Sequence, residues 1–306
     1  MASLTRRELL LSSAAAGLAA ALPGSGPAFA SDIRTKAIPA TGEAIPAIGM
    51  GTWITFNVGE DIEARNARAE VMRNFFAQGG GMIDSSPMYG SSEAVIGYGL
   101  EKLGSQSGLF SATKVWTPFG DSAEEQVSTS ERLWGVKPFD LMQIHNLVSW
   151  EEHLETLLEM KEQGRIRYIG VTTSHGRRHG ELEQIMESRP IDFVQLTYNV
   201  LDREPEDRLL PLAQERGLAV IANRPFRRGA LFDRYQDKPL PEWIGEFDAS
   251  NWAQFFLKFI ISHPALTCAI PATRRVEHML ENMGALHGRL PDPEMRRRMA
   301  AYVESL

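Results

Sequence analysis

Four residues of this sequence have types and positions that fit proton-transfer chemistry: Asp84, Tyr89, Lys114 and His145. Three of them, Asp84, Lys114 and His145, come where a short apolar run with the length of a buried strand ends. Charged side chains are almost never fully buried in a strand unless they are paired. If consecutive strands are parallel, these residues gather at one end of the sheet, where α/β proteins carry their functional groups. The sequence therefore predicts one site with a carboxylate, a phenol, an amine and an imidazole.

Tyr89 is the candidate acid of this group. A tyrosine phenol has an unperturbed pKa of about 10, so it needs a neighbouring positive charge to ionise easily. Lys114 would supply that charge, and Asp84 would hold the amine in place and protonated. His145 would donate a hydrogen bond to an oxygen that gains negative charge. Taken singly, the three strand-end residues could be a turn carboxylate, a rim charge and a core histidine, but their combination with Tyr89 favours a shared site.

The elements that must position these residues alternate along the chain. Short apolar runs alternate with amphipathic stretches, a pattern typical of βαβ units and a parallel sheet. Eight runs predict strands, at residues 48–52, 82–84, 110–115, 141–144, 168–172, 193–196, 219–222 and 268–270. They predict an α/β fold of the (β/α)8 TIM-barrel class, a parallel eight-stranded barrel with outer helices. The alternative, a doubly wound open sheet, is disfavoured because no complete G-x-G-x-x-G pattern follows the first strand.

Two further segments carry structural predictions. Ser149-Trp-Glu-Glu152 has the capping-box pattern and predicts the start of a helix. The longest predicted loop covers residues 224–250 and contains several aromatic residues. Because so long a loop in a compact domain is usually functional, we expect it to cover the C-terminal mouth of the barrel.

The N-terminal segment has the pattern of an export signal. An Arg6-Arg7 pair precedes an Ala/Leu/Gly-rich stretch too short to span a membrane as a mature helix, and Ala28-Phe29-Ala30 provides a small-x-small cleavage site. The arginine pair resembles a twin-arginine signal, whose partner is the twin-arginine export machinery. We therefore predict a signal peptide, 1–30, cleaved after Ala30, and a single barrel domain, 31–306, that is periplasmic or otherwise exported without stable membrane insertion. A disordered tail with a chance arginine pair is the alternative.

Composition argues against several classes of partner. The formal net charge is −7, which gives no indication of nucleic-acid binding. Cys268 is the only cysteine, so an intrachain disulfide is excluded, and its apolar surroundings predict a buried thiol. His175 and His179 have helical spacing, but Arg177 and Arg178 lie between them, and no third ligand is evident. The sequence therefore predicts no metal site.

The order and spacing of the four residues resemble the Asp, Tyr, Lys, His tetrad of the aldo-keto reductases. The residues lie in the segments 83–90, 112–115 and 143–146, and the resemblance extends from residue 51 to about residue 284. It implies a barrel enzyme that reduces an aldehyde or ketone to an alcohol by hydride transfer from a nicotinamide cofactor. In that reaction Tyr89 is the implied general acid.

The resemblance also implies a set of cofactor-binding residues. The segment 269–282 is similar to the family's adenosine-binding loop and helix, which implies that Thr273, Arg274 and Arg275 bind a phosphate and that Glu281 and Asn282 meet the adenine. Two guanidinium groups beside a helix N-terminus suit a phosphate dianion, which favours NADP (NADPH), with NAD possible. The other implied residues are Thr52, Trp53, Asp84, Thr172, Gln195, Arg224 and Phe226.

The sequence departs from the family pattern at three positions. Ala272 stands where a lysine is usual, and Thr173 stands where an asparagine commonly holds the nicotinamide carboxamide. Asn223 stands where an aromatic ring commonly stacks on the nicotinamide. Either Phe226 or Arg224 replaces that ring, or the cofactor is held weakly.

Apolar residues after the first three strands could form the wall of a substrate pocket. They are Trp53, Phe56, Met88, Trp116 and Phe119, and His145 is a further predicted substrate residue. For the aromatic residues the alternative is packing in the core. Three arginines of the long loop could clamp the cofactor pyrophosphate, attract an acidic substrate or be solvated: Arg224, Arg227 and Arg228.

Three functions therefore compete. The first is an exported NADPH-dependent reductase of a small-molecule carbonyl substrate, which would leave the cytoplasm folded with its cofactor bound. The second is a cofactor-binding, weakly or non-catalytic binding or regulatory protein, for which Thr173 and Asn223 leave room. The third, a barrel hydrolase with paired carboxylates, lacks a second strand-end acid to partner Asp84.

Overall fold

The computed structural model describes residues 33–104, 108–118 and 122–306, so the predicted signal peptide lies outside the described residues. In chain order the strands are β1 (Thr35–Ala37), β2 (Ala44–Pro46), β3 (Met50–Gly51), β4 (Met82–Asp84), β5 (Phe110–Val115), β6 (Phe139–Ile144), β7 (Ile166–Thr172), β8 (Phe193–Thr197), β9 (Ala219–Asn223) and β10 (Leu266–Ala269). The helices are α1 (Ile62–Ala77), α2 (Ser92–Leu103), α3 (Ala123–Trp134), α4 (Trp150–Glu162), α5 (His179–Ser188), α6 (Leu209–Arg216), α7 (Ala230–Tyr235), α8 (Trp252–Ile261), α9 (Val276–Gly284) and α10 (Pro293–Ser305). Among the described helices, none combines the length and the apolar character that a bilayer crossing requires.

Strands β3 to β10 form one eight-stranded sheet in sequence order, and every pair of neighbours is parallel. Two parallel bridges, Ile48 to Ala269 and Gly51 to Ala272, join the first strand to the last and close the barrel. The predicted (β/α)8 barrel is confirmed, and each of the eight predicted strands has a counterpart. The doubly wound alternative is excluded because in an open sheet the first and last strands, β3 and β10, would not be bridged to each other.

A hairpin that the sequence patterns did not predict covers the N-terminal end of the barrel. Strands β1 and β2 are antiparallel, with Lys36 opposite Ile45. Ile38 and Ile45 belong to a core cluster made of inward side chains of the barrel strands, among them Phe110 and Phe193 at strand starts. The hairpin therefore covers the end of the barrel opposite the predicted site. That end is packed with apolar side chains, whereas the predicted site residues lie at the other end.

Helix α8 shows how the outer layer is held. It follows Asn251, whose side chain caps it by accepting from the Gln254 backbone N–H, and its large aromatic residues Phe255 and Phe256 are fully buried. A buried Phe side chain contributes about 1.5–3 kcal/mol relative to an exposed one. The predicted loop 224–250 is not irregular throughout, since it contains α7 and a 3₁₀ turn, Glu242–Phe247, which pack against α8.

The helix start predicted at Ser149 is confirmed, since α4 begins at Trp150, but the capping box itself is wrong. Ser149 has a left-handed backbone (φ 45°), and its side chain makes no cap hydrogen bond with the described residues. The reason lies one turn earlier, where Asn146 and Leu147 are also left-handed as the chain leaves β6. Such conformations are uncommon for residues with a Cβ and are typical of functional sites. This compact turn begins at His145.

Candidate active site

A cavity of about 780 Å³ opens at the C-terminal end of the barrel. Its walls come from the segments that follow β3, β4, β6, β7, β9 and β10 and from Gln195 of β8. Many residues that the sequence predicted for cofactor or substrate line it, namely Thr52, Trp53, Asp84, Met88, Tyr89, His145, Thr172, Gln195, Arg224 and Phe226. The cavity is therefore where parallel barrels keep their active sites.

A buried ion pair between Lys114 and Asp84 lies at the base of this cavity. Lys114 Nζ donates to Asp84 Oδ2 at 2.5 Å and to the Ser85 carbonyl oxygen at 2.7 Å, and both partners of the ion pair are buried. Burial alone would lower the pKa of Lys114, but the negative charge of Asp84 and the Tyr89 hydroxyl raise it above its ordinary value. Lys114 therefore remains an ammonium ion at neutral pH.

Two amide side chains complete the environment of the carboxylate. Gln143 and Gln195 each donate an N–H to Asp84 Oδ1 at 2.9 Å, and Gln195 also donates to the Gln143 oxygen at 3.1 Å. Asp84 is thus fixed by hydrogen bonds to both oxygens. Gln143 was not predicted as a site residue, although its place two residues before His145 on β6 puts it on the same inner face.

Tyr89 lies in the short turn Pro87–Tyr89, above the ion pair. Its ring centre is 5.2 Å from Lys114 Nζ, 5.7 Å from the imidazole centre of His145 and 6.4 Å from the ring of Trp53. Burial raises the pKa of the phenol more than Lys114 lowers it, and Asp84 raises it further. Lys114 therefore lowers the pKa of Tyr89 as expected, but burial outweighs it, and Tyr89 is protonated at neutral pH, as a proton donor must be.

His145 is a neutral imidazole held by Ser86. Its Nδ1 is 2.8 Å from Ser86 Oγ, which accepts the Met88 backbone N–H at 3.2 Å and so has its own hydrogen free to donate to the ring. When Ser86 Oγ donates to Nδ1, the imidazole proton is on Nε2. Burial, together with the positive charge of Lys114, lowers the pKa of His145 to about 3. In that tautomer the ring can donate a hydrogen bond from Nε2 without a net charge.

The cavity wall also contains an unpaired buried hydroxyl. Among the described residues Thr173 Oγ1 has no hydrogen-bond partner, whereas the neighbouring Asn223 donates to the Thr173 carbonyl at 2.8 Å and accepts from Thr197 Oγ1 at 2.7 Å. The Thr52 hydroxyl donates to the Asp84 carbonyl oxygen, and the Thr172 hydroxyl accepts the Asn146 backbone N–H. A buried polar atom without a partner on a cavity wall is available to a ligand.

The predicted adenosine-binding residues lie beside the cavity rather than on its described lining. They are Thr273, Arg274, Arg275, Glu281 and Asn282, while Ala272 and His278 of the same segment do line the cavity. Thr273 Oγ1 accepts the Arg275 backbone N–H at 3.1 Å at the start of α9. Contacts of these residues with a cofactor stay a prediction. His278 was missed because no sequence pattern marked it.

The predicted substrate residues divide in a similar way. Trp53, Met88 and His145 line the cavity, whereas Phe56 is fully buried in the core. Phe119 lies outside the described residues. Trp116 is not part of the described lining, and its backbone is bonded to the Gln126 side chain, so its contact with a substrate stays a prediction.

Two other predicted features concern Cys268 and His175, of which His175 lines the cavity. Cys268 is fully buried in the barrel, and burial raises the pKa of its thiol. His175 is 2.6 Å from an Arg224 guanidinium nitrogen. In the described ranges, no group of three or more His, Cys, Asp or Glu side chains is arranged to hold a metal ion.

Comparison with known proteins places these features in a family. The sequence is 28% identical over 276 residues to methylglyoxal reductase YeaE of Escherichia coli, covering 88% of this chain and 96% of that protein. It is 27% identical over 295 residues to aldo-keto reductase str7 of Strobilurus tenacellus, covering 82% and 87%. An aldo-keto reductase from Klebsiella pneumoniae, whose crystal structure is a complex with NADPH, matches with a TM-score of 0.71 at 25% identity, covering 86% of this chain and 92% of that one.

The sequence model of the aldo/keto reductase family matches residues 47–302. This range contains all eight strands of the barrel and every residue that lines the cavity. The chain therefore belongs to the aldo/keto reductase family.

Proposed function

We propose that this protein reduces an aldehyde or ketone to an alcohol with NADPH, and that Tyr89 is the general acid. The observation that carries the proposal is the ion pair of Lys114 and Asp84, at 2.5 Å, buried beneath the Tyr89 ring and beside a neutral His145. Membership of the family and the NADPH complex of the Klebsiella relative support it.

The chain's own residues account for the proton and for the charge that develops. NADPH, when bound, supplies the hydride that reduces the carbonyl carbon. Tyr89 gives its proton to the carbonyl oxygen, which becomes the hydroxyl of the alcohol, and His145 donates an Nε2 hydrogen bond to the same oxygen. The Lys114 ammonium, held by Asp84, stabilises the phenolate that Tyr89 leaves until solvent returns a proton.

The cavity wall fits the amide end of this cofactor. Thr173 offers a hydroxyl unpaired among the described residues where the family commonly has an asparagine, and the Gln195 amide oxygen accepts a long hydrogen bond, of 3.5 Å, from Asn223. Thr52, Trp53, Thr172, Arg224 and Phe226 border the same space. Beyond it, Thr273, Arg274 and Arg275 would hold a phosphate, and Glu281 and Asn282 the adenine.

Dinucleotide titration followed by turnover tests the proposal. Tryptophan quenching should show NADPH binding tighter than NADH, because a 2′-phosphate adds charge-assisted hydrogen bonds to arginine. NADPH oxidation with a panel of aldehydes should be at least about 100-fold slower in Tyr89→Phe, which lacks the acidic proton. Equal rates in the two proteins would reject Tyr89 as the acid.

A second candidate function is a cofactor-binding protein with little turnover. Asn223, whose amide is engaged by Thr173 and Thr197, provides no flat ring against a nicotinamide. This reading requires tight NADPH binding together with no acceleration over Tyr89→Phe on any aldehyde. The same two measurements therefore separate the candidates.

We also propose that residues 1–30 direct export through the twin-arginine machinery and that residues 31–306 leave the cytoplasm folded, with the cofactor bound. Arg6 and Arg7 support the signal, and a folded holoprotein would need no external NADPH pool to acquire its cofactor. Cell fractionation of the wild type and of an Arg6→Lys, Arg7→Lys variant tests this. Wild-type protein confined to the cytoplasm would reject export.

A further inference from the structure

The charged side chains on the cavity wall are mostly of one sign, positive. Four arginines line it, Arg177, Arg178, Arg224 and Arg228, although the whole chain has a formal net charge of −7. Asp84 is the one carboxylate on the described lining, and Lys114 neutralises it. A cleft lined by one sign of charge concentrates ligands of the opposite sign. The wall is therefore suited to an anion.

Most of these arginines have no acidic partner in the structure. Arg178 pairs with Glu181 at 2.6 Å, but Arg177, Arg224 and Arg228 have no carboxylate within 4.0 Å among the described residues. Arg224 instead contacts a ring nitrogen of His175 at 2.6 Å. Burial and the nearby arginines lower the pKa of His175, so that histidine adds no counter-charge, and Asp202 compensates the positive charge only in part.

The backbone that presents these groups is held in an unfavourable conformation. His175, Arg224 and Arg228 all have left-handed backbones, with φ of 63°, 52° and 62°. This region is disfavoured for residues with a Cβ, and such residues concentrate at ligand sites. The two loops that follow β7 and β9 thus direct several cationic side chains to one cavity.

Arg228 lies on the side of the cavity where the carbonyl group must bind. Its guanidinium carbon is 4.4 Å from the ring centre of Trp53, which is 6.4 Å from the ring of Tyr89. A guanidinium group stacked on an aromatic ring keeps its edge N–H donors free for an oxyanion. The ring of Trp53 therefore lies between the N–H donors of Arg228 and Tyr89, the proposed general acid.

We propose that the substrate is an aldehyde or ketone that carries a carboxylate or phosphate group, and that Arg228, stacked on Trp53, binds this group. Arg177 and Arg224 add to the positive field that attracts it. This inference rests on the proposed reductase function and specifies its substrate class. Its alternative is that Arg228 binds the pyrophosphate of the cofactor.

Matched pairs of aldehydes test the proposal. 4-Carboxybenzaldehyde and its methyl ester differ by one charge at nearly constant shape, and glyceraldehyde 3-phosphate and glyceraldehyde form the phosphate pair. We expect the wild type to prefer at least one anion over its neutral partner by about tenfold or more in kcat/KM, as a charge-assisted hydrogen bond provides. Whichever pair shows the preference identifies the group. Ratios near one for both pairs would overturn the proposal.

A matched pair of arginine variants locates the effect. Arg228→Gln should bring the anion-to-neutral ratio close to one. Arg234→Gln is the control, because Arg234 is also exposed and also stacks on a ring, that of Tyr235 at 5.0 Å, but lies outside the cavity lining. A ratio that survives Arg228→Gln, or an equal loss in both variants, contradicts the assignment. A fall in NADPH affinity in Arg228→Gln with an unchanged ratio would place Arg228 on the cofactor instead.

A binding measurement separates this proposal from the reductase proposal. Calorimetric titration with terephthalate and with its dimethyl ester requires no turnover, and the wild type should bind the dianion more tightly, with Arg228→Gln losing that preference. Binding without any aldehyde reduction would reject the enzyme and retain the anion site. Reduction of neutral aldehydes without dianion binding would retain the enzyme and reject the anion site.

Discussion

Two lysines of this protein are fully buried, and their surroundings differ in kind. Lys114 in the barrel is 1% exposed and donates to the Asp84 carboxylate and to one carbonyl. Lys258 in α8 is 0% exposed and donates to four backbone carbonyls, those of Phe247, Asp248, His287 and Arg289, at 2.6–3.1 Å. One ammonium is paired with a carboxylate, whereas the other is held by backbone dipoles, with the Asp248 charge compensating in part.

The two environments move the lysine pKa values in opposite directions. Burial lowers the pKa of both amines, but Asp84 and Tyr89 outweigh burial at Lys114 and raise its pKa. At Lys258 burial dominates, Asp248 compensates in part, and the pKa falls to about 8. A carboxylate therefore offsets the desolvation of an ammonium ion that a ring of carbonyls does not fully offset.

The positions of the two lysines indicate what each supports. Lys114 lies under the cavity, next to the ring of Tyr89. Lys258 links α8 to the end of the turn Glu242–Phe247 and to the segment after α9, and it is not part of the cavity lining. We infer that Lys114 serves the chemistry and that Lys258 serves the fold.

The largest expected effect comes from Lys114→Met. It removes the charge that stabilises the Tyr89 phenolate, so kcat/KM for aldehyde reduction should fall about 10²–10⁴-fold. The free energy of unfolding should also fall by about 3–5 kcal/mol, because Asp84 becomes a buried charge without its partner. Adding Asp84→Asn should recover part of the stability and none of the activity. An active Lys114→Met protein would contradict the assignment.

The same substitution at Lys258 should have the opposite profile. Lys258→Met leaves four buried carbonyls without their donor, and we expect the free energy of unfolding to fall by about 3 kcal/mol. The folded protein should retain wild-type kcat/KM, because the cavity is untouched. Denaturant unfolding and steady-state kinetics measure the two quantities. A large loss of kcat/KM in folded Lys258→Met would end the division of roles.

Alkaline pH distinguishes the two lysines by sign. The folded pKa of Lys258 is about 8, below its ordinary value of 10.5, so between these pH values the unfolded chain binds more protons there and stability rises with pH. The raised pKa of Lys114 acts the other way, and its stabilisation is lost only above 10.5.

Unfolding free energies of the wild type and of Lys258→Met, compared from pH 7 to 10.5, measure this term alone. The difference, wild type minus variant, should grow by at most about 3 kcal/mol over the upper part of that range. The corresponding difference for Lys114→Met should stay flat there. A flat difference for Lys258 would mean that the four carbonyls hold an ammonium as well as water does.

Local patterns in the sequence predicted the features that depend on residues close together in the chain, namely the strands and the site residues at their ends. The apolar runs that end in Asp84, Lys114 and His145 gave the strands and the edge at which they meet, because parallel strands place their ends together. The barrel followed from eight repeats of one unit. Thr52 and Trp53, which follow β3 and line the cavity, were instead implied by the resemblance to the aldo-keto reductases.

Contacts between distant segments could not be predicted from such patterns. Gln143 and Gln195 lie in apolar strands like any other buried amide, and only the closed barrel brings both to Asp84. Lys258 is a single charge in an apolar helix, and its acceptors come from two separate segments. The net rise in the pKa of Tyr89 could not be predicted for a related reason, since the degree of burial depends on the whole fold.

The smallest expected effect tests whether the amides around Asp84 matter to the ion pair. Gln143→Leu removes one of the two N–H donors to Asp84 Oδ1 and leaves that of Gln195 in place. Because this hydrogen bond is made to a charged group, its loss should lower kcat/KM about tenfold. Gln163→Leu, at an exposed position after α4, is the control and should leave kcat/KM unchanged. A stability loss in Gln143→Leu with an unchanged kcat/KM would make Gln143 a packing residue, and Lys114 would then depend on Asp84 alone.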